Sequence, residues 1–296
     1  MNNLSSSISP LAANFGEVIT TVNNDDLSIL EPKDLLLRLM TKGALLLRGF
    51  SLSDEAFRSL AEGFGGKFVS HGAPHRPTLA GDTSLHLADP GTNEIHLHIE
   101  LGYLPLPPDL IWFHCIIPPQ SGGATTLCDG TVIARELSTQ ARDMFKAQRL
   151  RYSAFWPQTV WSRYFHAETP SEVKAQLQDI EGVTLDFQGN LLLFDYCISA
   201  LLPTGSGGEL SFANSLLHYI LDGYEDYVLF EDGSPFPQWL ITELQTLGER
   251  HTFEIHWQCD DLLIINNHRV LHGRRSHGDP GRKLHVRMQK LAERSV

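Results

Sequence analysis

Residues 95–101 alternate strictly between apolar and polar side chains, and this pattern constrains the fold more than any other stretch. The polar positions are His96, His98 and Glu100, and the positions between them are Ile or Leu. Alternation over seven residues predicts a β-strand, because successive side chains of a strand point to opposite faces. On a helix, residues two apart would lie on different faces. We therefore expect His98 and Glu100 to share one strand face, roughly 6–7 Å apart.

A His-x-Glu pair on one strand face suggests a metal site. An imidazole and a carboxylate are two of the three ligands in the two-histidine, one-carboxylate arrangement that binds Fe(II) and leaves coordination positions open. His96 shares the predicted face with His98 and is an alternative ligand. A further histidine must then come from elsewhere, and residues 262–274 combine an apolar run with His268 and His272. The two stretches together predict a non-haem iron site.

Composition narrows the class of protein. The chain has 296 residues, enough for one large domain or two small ones, and 42% of them are hydrophobic, which allows a substantial core. The net charge of −12 argues against a nucleic-acid-binding surface. The four cysteines are widely spaced, at Cys115, Cys128, Cys197 and Cys259, and form no Cys-x-x-Cys pair. This spacing disfavours a thiolate zinc site and a disulfide scaffold. With no signal peptide or membrane-spanning run in view, we expect a soluble, cytoplasmic protein that binds neither membrane nor nucleic acid.

The order of predicted elements indicates a mainly β protein with helical additions. Short strands separated by turns predict a β-sandwich or jelly-roll core. We expect residues 1–20 to be flexible and residues 21–296 to form a single domain, with a helical and aromatic insertion around residues 131–250. Residues 131–148 read as one amphipathic helix. Residues 71–91, rich in Pro, Gly, Asp and Thr, read as irregular loop.

Shorter patterns predict the remaining elements. Helices are expected at 32–41, 53–65, 171–180 and 235–250. Strands are expected at 44–50, 110–117, 124–129, 191–196, 251–257 and 283–289.

Four short motifs occur in order along the chain and carry a family resemblance. They are His98-x-Glu100 with Tyr103-x-Pro105, the segment PPQSGGAT at 118–125, the segment 260–274 ending in His272-Gly-Arg274, and Gly281-Arg282. In this order and spacing, from about residue 43 to residue 287, the chain resembles the TauD/TfdA-like (taurine dioxygenase) family of Fe(II)/2-oxoglutarate oxygenases. Glu100 as the carboxylate ligand is more similar to the clavaminate-synthase-like branch.

The resemblance implies a fold, a set of ligands and a reaction. It implies a double-stranded β-helix, or jelly-roll, that binds Fe(II) through His98, Glu100 and His272, with 2-oxoglutarate as cosubstrate and O2 as oxidant. The far carboxylate of 2-oxoglutarate is held in this family by an Arg and a Thr that match Arg282 and Thr125. A planar guanidinium suits such a carboxylate, and a hydroxyl can add one hydrogen bond. The implied activity is hydroxylation, desaturation or cyclisation of a small molecule, as an amino-acid-derived or secondary-metabolite intermediate in natural-product biosynthesis.

The chain departs from the family at one position. Four residues after Arg282, where members often carry a second Arg that holds an anionic substrate, stands Val286. The resemblance to the family therefore does not imply that this chain binds a sulfonate substrate. Arg287 lies on the opposite face of a regular strand and would compete with Arg282 only if a bulge shifted the register. Thr126 is likewise the alternative to Thr125.

Two other classes of function compete with the oxygenase. A cupin-type isomerase or lyase without 2-oxoglutarate is suggested by His96-x-His98, although cupins usually place their Glu further along the chain. A non-catalytic, ligand-binding jelly-roll is disfavoured. Such a protein would not need the polar set His98, Glu100, His272, Thr125 and Arg282, which is costly to bury. The sequence sets neither the regiochemistry nor the oligomeric state.

Two further groups of residues admit more than one interpretation. His71, His75 and His86 precede the predicted metal strand, and we expect them in a solvated loop rather than over the site. An aromatic cluster could line a substrate pocket, but packing in the core is favoured. Its members are Phe155, Trp156, Trp161, Tyr164 and Phe165.

Overall fold

Two sheets form the centre of the computed structural model, which describes residues 7–12, 15–72, 78–79, 82–204 and 208–292. The strands are β1 (Ser7–Ala12), β2 (Phe15–Thr20), β3 (Ala44–Arg48), β4 (Lys67–Val69), β5 (Thr78–Leu79), β6 (Asp82–Leu87), β7 (Ile95–His98), β8 (Leu110–Ile117), β9 (Thr125–Asp129), β10 (Leu150–Pro157), β11 (Val183–Gln188), β12 (Leu191–Ile198), β13 (Leu202–Thr204), β14 (Glu209–Ser211), β15 (Val228–Phe230), β16 (Phe253–Ile255), β17 (Leu262–Asn266), β18 (Val270–Arg274) and β19 (Lys283–Lys290). The α-helices are α1 (Pro32–Lys42), α2 (Asp54–Gly63), α3 (Gly130–Glu136), α4 (Thr139–Ala147), α5 (Gln158–Phe165), α6 (Pro170–Leu177), α7 (Leu216–Leu221) and α8 (Gln238–His251). Short 3₁₀ turns lie at Leu27–Ile29 and Glu225–Tyr227.

The topology pairs strands that are distant in sequence. The larger sheet has the order β1-β2-β3-β17-β8-β19-β6-β5, with β4 beside β19, and the smaller sheet has the order β16-β9-β18-β7. Only the β2–β3 pair is parallel among the paired strands of the described residues. In both sheets, strands from late in the sequence lie between strands from early in the sequence, and this is the arrangement of a jelly-roll. The predicted fold class, mainly β with helical additions, is confirmed.

Three apolar clusters hold the layers together. One fills the space between the two sheets and includes Phe113, Leu127 and Leu263. A second packs α1 and α2 against the outer face of the larger sheet, around the fully buried Trp112. The third joins the smaller sheet to the helices that follow β9. The site described below lies between the sheets.

Most predicted elements are present. The expected strands appear as β3, β8, β9, β12 and β19, and β16 covers the centre of the expected strand at 251–257. The expected helices appear as α1, α2, α6 and α8, and the Ser53 hydroxyl caps α2 by accepting a hydrogen bond from the Ala56 N–H at 3.1 Å. Across the described residues, each helix is too short or too polar to reach through a lipid bilayer.

The flexibility expected over residues 1–20 stays a prediction, and the described part of this segment is in strands. In its described part, β1 pairs with β2, and β2 pairs with β3. Phe15 and Ile19 are buried in the core, so apolar burial adds to backbone pairing in ordering this segment. The single domain over residues 21–296 and the extent of the insertion around 131–250 stay predictions.

Two expectations about local structure are wrong. The helix expected over 131–148 is broken between α3 and α4, where Leu137 leaves helical geometry and the Ser138 hydroxyl caps the new helix at the Ala141 N–H. The loop expected over 71–91 contains β5 and β6, because β6 finds a partner in β19. Local composition cannot predict a strand that forms only because it pairs with a partner about 200 residues away.

A buried carboxylate near the C-terminal strand gives a prediction about stability. Asp109 accepts hydrogen bonds from His268 Nε2 at 2.7 Å and from the Leu291 N–H at 2.9 Å. Burial alone would raise the pKa of Asp109, but these hydrogen bonds and the charge of Lys290 lower it to about 2. Because the folded-state pKa is below the unfolded one, the stabilisation is complete above about pH 4 and is lost as the pH falls toward 2.

We expect Asp109→Asn to lower the free energy of unfolding by about 1–2 kcal/mol at pH 7. Urea denaturation measured from pH 7 downward should show the difference from the unsubstituted protein shrinking below pH 4. The exposed Asp179, changed to Asn, is the control and should change little. A deficit for Asp109→Asn that is the same at every pH would contradict this assignment.

Candidate active site

A bulge at the end of β7 decides which histidine faces the space between the sheets. His98 pairs with His272 on β18, but the next registered pair joins Arg274 to Ile95, so β7 carries one extra residue. His98, Ile95 and His272 consequently line the same cavity, whereas His96 lines a separate cleft on the other side of the smaller sheet. The prediction that His96 shares a face with His98 is wrong, because the bulge breaks the alternation.

Gly273 allows β18 to approach this bulge closely. A Cβ atom at this position would lie 2.4 Å from the Ile95 carbonyl oxygen and 2.8 Å from the Thr126 hydroxyl. Any larger residue would therefore push β18 away from β7 and move His272 relative to His98.

Glu100 does not lie on the strand as predicted. β7 ends at His98, and Glu100 lies in the following turn, where Leu101 has a φ of 57°. The buried Asn267 side chain holds this turn: its Oδ1 accepts from the Glu100 N–H at 2.9 Å, and its Nδ2 donates to the Glu100 carbonyl at 3.0 Å. The turn, and not strand periodicity, brings the carboxylate back toward His98.

His98, Glu100 and His272 converge on one point. One potential ligand atom from each lies within 4.8 Å of the others, and all three residues are buried. His98 Nδ1 donates to the His96 carbonyl at 2.8 Å, which leaves the lone pair of Nε2 free. Burial lowers the pKa of His98 well below its usual value, and the nearby His272 and His218 lower it further. A neutral imidazole is the form that binds a metal, and this donor set is the one typical of non-haem Fe(II).

His71 is a contact that the sequence analysis missed. Its Nε2 lies 2.8 Å from Glu100 Oε1, and its backbone N–H donates to His86 Nε2 at 3.2 Å. Both histidines are buried, so the expectation of a solvated loop is wrong for them, and His75 lies outside the described residues. With Oε1 occupied by His71, Oε2 is the Glu100 oxygen nearer to His272 Nε2, at 3.8 Å.

Thr125 and Thr126 face opposite sides of β9. Thr125 lines the cavity of His98 and His272, and Thr126 lines the outer cleft. The Thr125 hydroxyl accepts a hydrogen bond from Trp257 Nε1 at 3.0 Å. Its own proton therefore remains available to donate into the cavity.

Arg282 lines the same cavity and lies just before β19. Its Nε donates to the Gly123 carbonyl at 3.1 Å, and among the described residues no salt bridge to a carboxylate is found for it. Gly123, with a φ of 63°, belongs to the turn before β9 and would meet the Arg282 side chain if it carried a Cβ. Burial and the neighbouring Arg274 lower the pKa of Arg282 to about 10, so it stays charged at neutral pH. A half-buried guanidinium without an ion-pair partner suits an anionic ligand.

Arg287 lies outside this cavity. The register of the β19–β8 pair shifts between Lys283 and Leu284, where β8 carries the extra residue, so β19 itself alternates regularly. Arg287 forms a salt bridge with Asp82 at 2.8 Å on the other face of the sheet, and its guanidinium lies 5.0 Å from the centre of the Phe57 ring. Val286 faces the cavity instead.

The aromatic cluster divides between core and surface. Trp161 and Phe165 are buried in the core, as favoured by the sequence, whereas Phe155 is 61% exposed. Trp156 and Tyr164 are partly buried and stack on each other with ring centres 4.9 Å apart. The Tyr164 hydroxyl lies 3.0 Å from that of Tyr103, which follows the Glu100 turn.

Known proteins resemble this chain over nearly its whole length. The model of the "Taurine catabolism dioxygenase TauD, TfdA family" matches residues 7–289. A clavaminate synthase-like protein of Arabidopsis thaliana is 25% identical over 272 residues, covering 83% of this chain and 81% of the relative. The crystal structure of PvcB from Pseudomonas aeruginosa superimposes with a TM-score of 0.64 at 16% identity, covering 99% of this chain and 94% of PvcB. A taurine dioxygenase from Burkholderia xenovorans gives 0.64 at 16% identity, with 96% and 89% covered.

The match of the family model covers residues 95–101 and 262–274, which contain the candidate metal ligands. It also covers every strand of the two central sheets except the last residue of β19. The solved structures share the fold across almost the entire chain. The protein therefore belongs to the taurine catabolism dioxygenase TauD, TfdA family and is an oxygenase dependent on Fe(II), 2-oxoglutarate and O2.

Proposed function

We propose that His98, Glu100 and His272 hold the iron, and that Arg282 and Thr125 hold 2-oxoglutarate beside it. The observation that carries this proposal is the convergence of the three ligand atoms within 4.8 Å, in the cavity that Arg282 also lines. Two imidazoles and a carboxylate fit Fe(II), and the charge of Arg282 fits the far carboxylate of the cosubstrate. A cupin-type site would need His96, which faces the other side of the sheet.

The residues of this chain would act by binding and orientation. Iron and 2-oxoglutarate, when bound, would supply the oxidising power for O2-dependent attack on a C–H bond, with the cosubstrate converted to succinate and CO2. The Nδ1–H of His98 bonded to the His96 carbonyl fixes the ring, and His71 holds one Glu100 oxygen so that the other faces the site. Leu284, Val286 and Phe113 give the cavity an apolar wall, which limits access of water to the reacting centre.

We propose further that the substrate is a small amino-acid-derived or secondary-metabolite intermediate that is hydroxylated, desaturated or cyclised. Val286 supports a substrate other than a taurine-like sulfonate, because it offers no charge where family members often carry a second Arg. PvcB is described as an Fe, α-ketoglutarate-dependent oxygenase from an isonitrile synthetic pathway, and the similarity in fold is consistent with such chemistry.

The proposal is tested by succinate release from the iron-loaded enzyme under air. We expect a panel of amino acids and their N-acylated or otherwise derivatised forms to include compounds that raise succinate formation above the substrate-free rate. Mass spectrometry of the product should show a gain of 16 Da for hydroxylation or a loss of 2 Da for desaturation or ring closure. Taurine is the comparison substrate. Stimulation by taurine alone would contradict the proposed substrate class and leave the assignment as an oxygenase intact.

A further inference from the structure

A single carboxylate outside the proposed metal site is connected to His98 along two routes. Asp222 follows the last residue of α7, and its backbone N–H donates to the His218 carbonyl at 2.9 Å. Its side chain is largely buried, with 17% exposed, and accepts hydrogen bonds from His96 and from His218. Burial would raise the pKa of Asp222, but hydrogen bonds from His218 and His96 lower it well below its usual value, which keeps the side chain ionised.

The first route runs through the bulge of β7. Asp222 accepts from both the side chain and the backbone of His96: Nδ1 lies 2.6 Å from Oδ1, and the N–H lies 3.2 Å from Oδ2. These two hydrogen bonds hold the His96 side chain and the peptide group before its Cα atom, and so restrain the Cα atom that carries the His96 carbonyl. The His96 carbonyl then accepts the His98 Nδ1–H at 2.8 Å. Holding His96 therefore holds the acceptor that sets the tautomer of His98.

The second route runs through a ring contact. His218 Nδ1 lies 2.5 Å from Asp222 Oδ2, and the His218 ring centre lies 4.9 Å from that of His98, at an angle of 34° between the planes. The His272 ring lies 4.4 Å from His98 on the cavity side. His98 thus packs between a ligand partner and a histidine whose orientation depends on Asp222.

We propose that Asp222 is a positioning residue that fixes the tautomer and ring orientation of His98 for metal binding, through the His96 carbonyl and the His218 ring. This inference rests on the proposed function, because it presumes that His98 is a ligand. Removing a group that orients a metal-bound histidine typically weakens metal affinity by about 10- to 100-fold. The two routes share one carboxylate, so its loss should act on His98 from both sides.

The test compares metal affinity among three variants of the full chain. Co(II) is the probe, since its visible absorption reports binding without turnover. We expect Asp222→Ala to raise the Kd for Co(II) by about 10- to 100-fold, and Asp222→Asn by less, because the amide oxygen still accepts one hydrogen bond. Asp109→Asn is the matched control: it too removes the charge of a largely buried carboxylate bonded to a histidine and a backbone N–H, and it should leave the Kd unchanged.

A second readout needs no metal. In protein with ¹⁵N-labelled histidine, the His98 ring should be protonated at Nδ1, and in Asp222→Asn it should shift toward a mixture of tautomers. The His98 resonances are assigned by their loss in His98→Gln. Because Asp222→Asn nearly preserves shape, it keeps the test valid if Asp222→Ala fails to fold.

The outcomes separate this inference from the proposed function. If the unsubstituted protein binds no Co(II), the metal site itself is overturned, and the inference with it. If it binds, and the Asp222 variants bind equally well with an unchanged His98 tautomer, the inference alone is overturned. A fall in the thermal stability of both Asp222→Asn and Asp109→Asn, with a rise in Kd only for the first, supports positioning over a general structural role.

Discussion

Substitution of His272 by alanine is expected to abolish Fe(II) binding at micromolar metal and to reduce turnover by more than about 100-fold, since even the loss of a group that orients a ligand costs up to this much. His272 supplies one of the three converging atoms that we propose as ligands, and the remaining two residues, His98 and Glu100, cannot complete the set. The measurement is equilibrium dialysis with Fe(II) under anaerobic conditions, followed by succinate release under air.

His268→Ala is the control for this prediction, because His268 lies four residues earlier, in the connection between β17 and β18, and bonds to Asp109 rather than to the cluster. It should lower stability, through the loss of its bond to Asp109, and retain iron. Iron binding that survives His272→Ala and is lost in His268→Ala would contradict the assignment of the ligand.

Substitution of Arg282 by methionine should raise the KM for 2-oxoglutarate by about 100- to 1,000-fold. A guanidinium that binds a carboxylate makes two charge-assisted hydrogen bonds, and their loss amounts to about 3–4 kcal/mol, or two to three powers of ten. Little change is expected in the Kd for the metal, because among the described residues Arg282 bonds to the Gly123 carbonyl and to none of the three proposed ligand residues. Steady-state kinetics with varied 2-oxoglutarate would measure the effect.

Arg287→Met is the matched control. Arg287 bonds to Asp82 and Ser84 and lies against the rings of Phe57 and Phe68, away from the cavity. We expect this variant to lower the free energy of unfolding and to leave the KM for 2-oxoglutarate unchanged. The reverse pattern, with the larger KM in Arg287→Met, would show that the cosubstrate lies on the other face of β19.

The sequence predicted the fold class and the proximity of the stretches around His98 and His272, and the structure shows the physical reasons for both. The apolar runs at β8 and β17 are buried on both faces, and such runs carry a strong pattern. The motifs around His98 and His272 lie far apart in the chain, yet β7 and β18 are neighbours in one sheet. The order and spacing of the family motifs predicted this proximity, whereas the periodicity of each stretch alone could not.

The details of the site were less accessible, because each depends on a departure from regular structure or on a distant partner. The bulge that turns His96 outward cannot be predicted from the alternation of apolar and polar residues, because that pattern assumes a regular strand. The turn at Glu100 depends on Asn267, a residue 167 positions away. His71 lies in a stretch whose composition indicates a loop, and its burial follows from contacts with Glu100 and His86.

The most direct test of the central claim is an anaerobic titration of the purified protein with Fe(II) and then 2-oxoglutarate, followed by visible absorption. We predict a weak charge-transfer band that appears only when both are present. It should be absent in His272→Ala, and in Arg282→Met it should require far more 2-oxoglutarate. A protein that takes up one equivalent of iron and gives no band at saturating 2-oxoglutarate would contradict the proposed site.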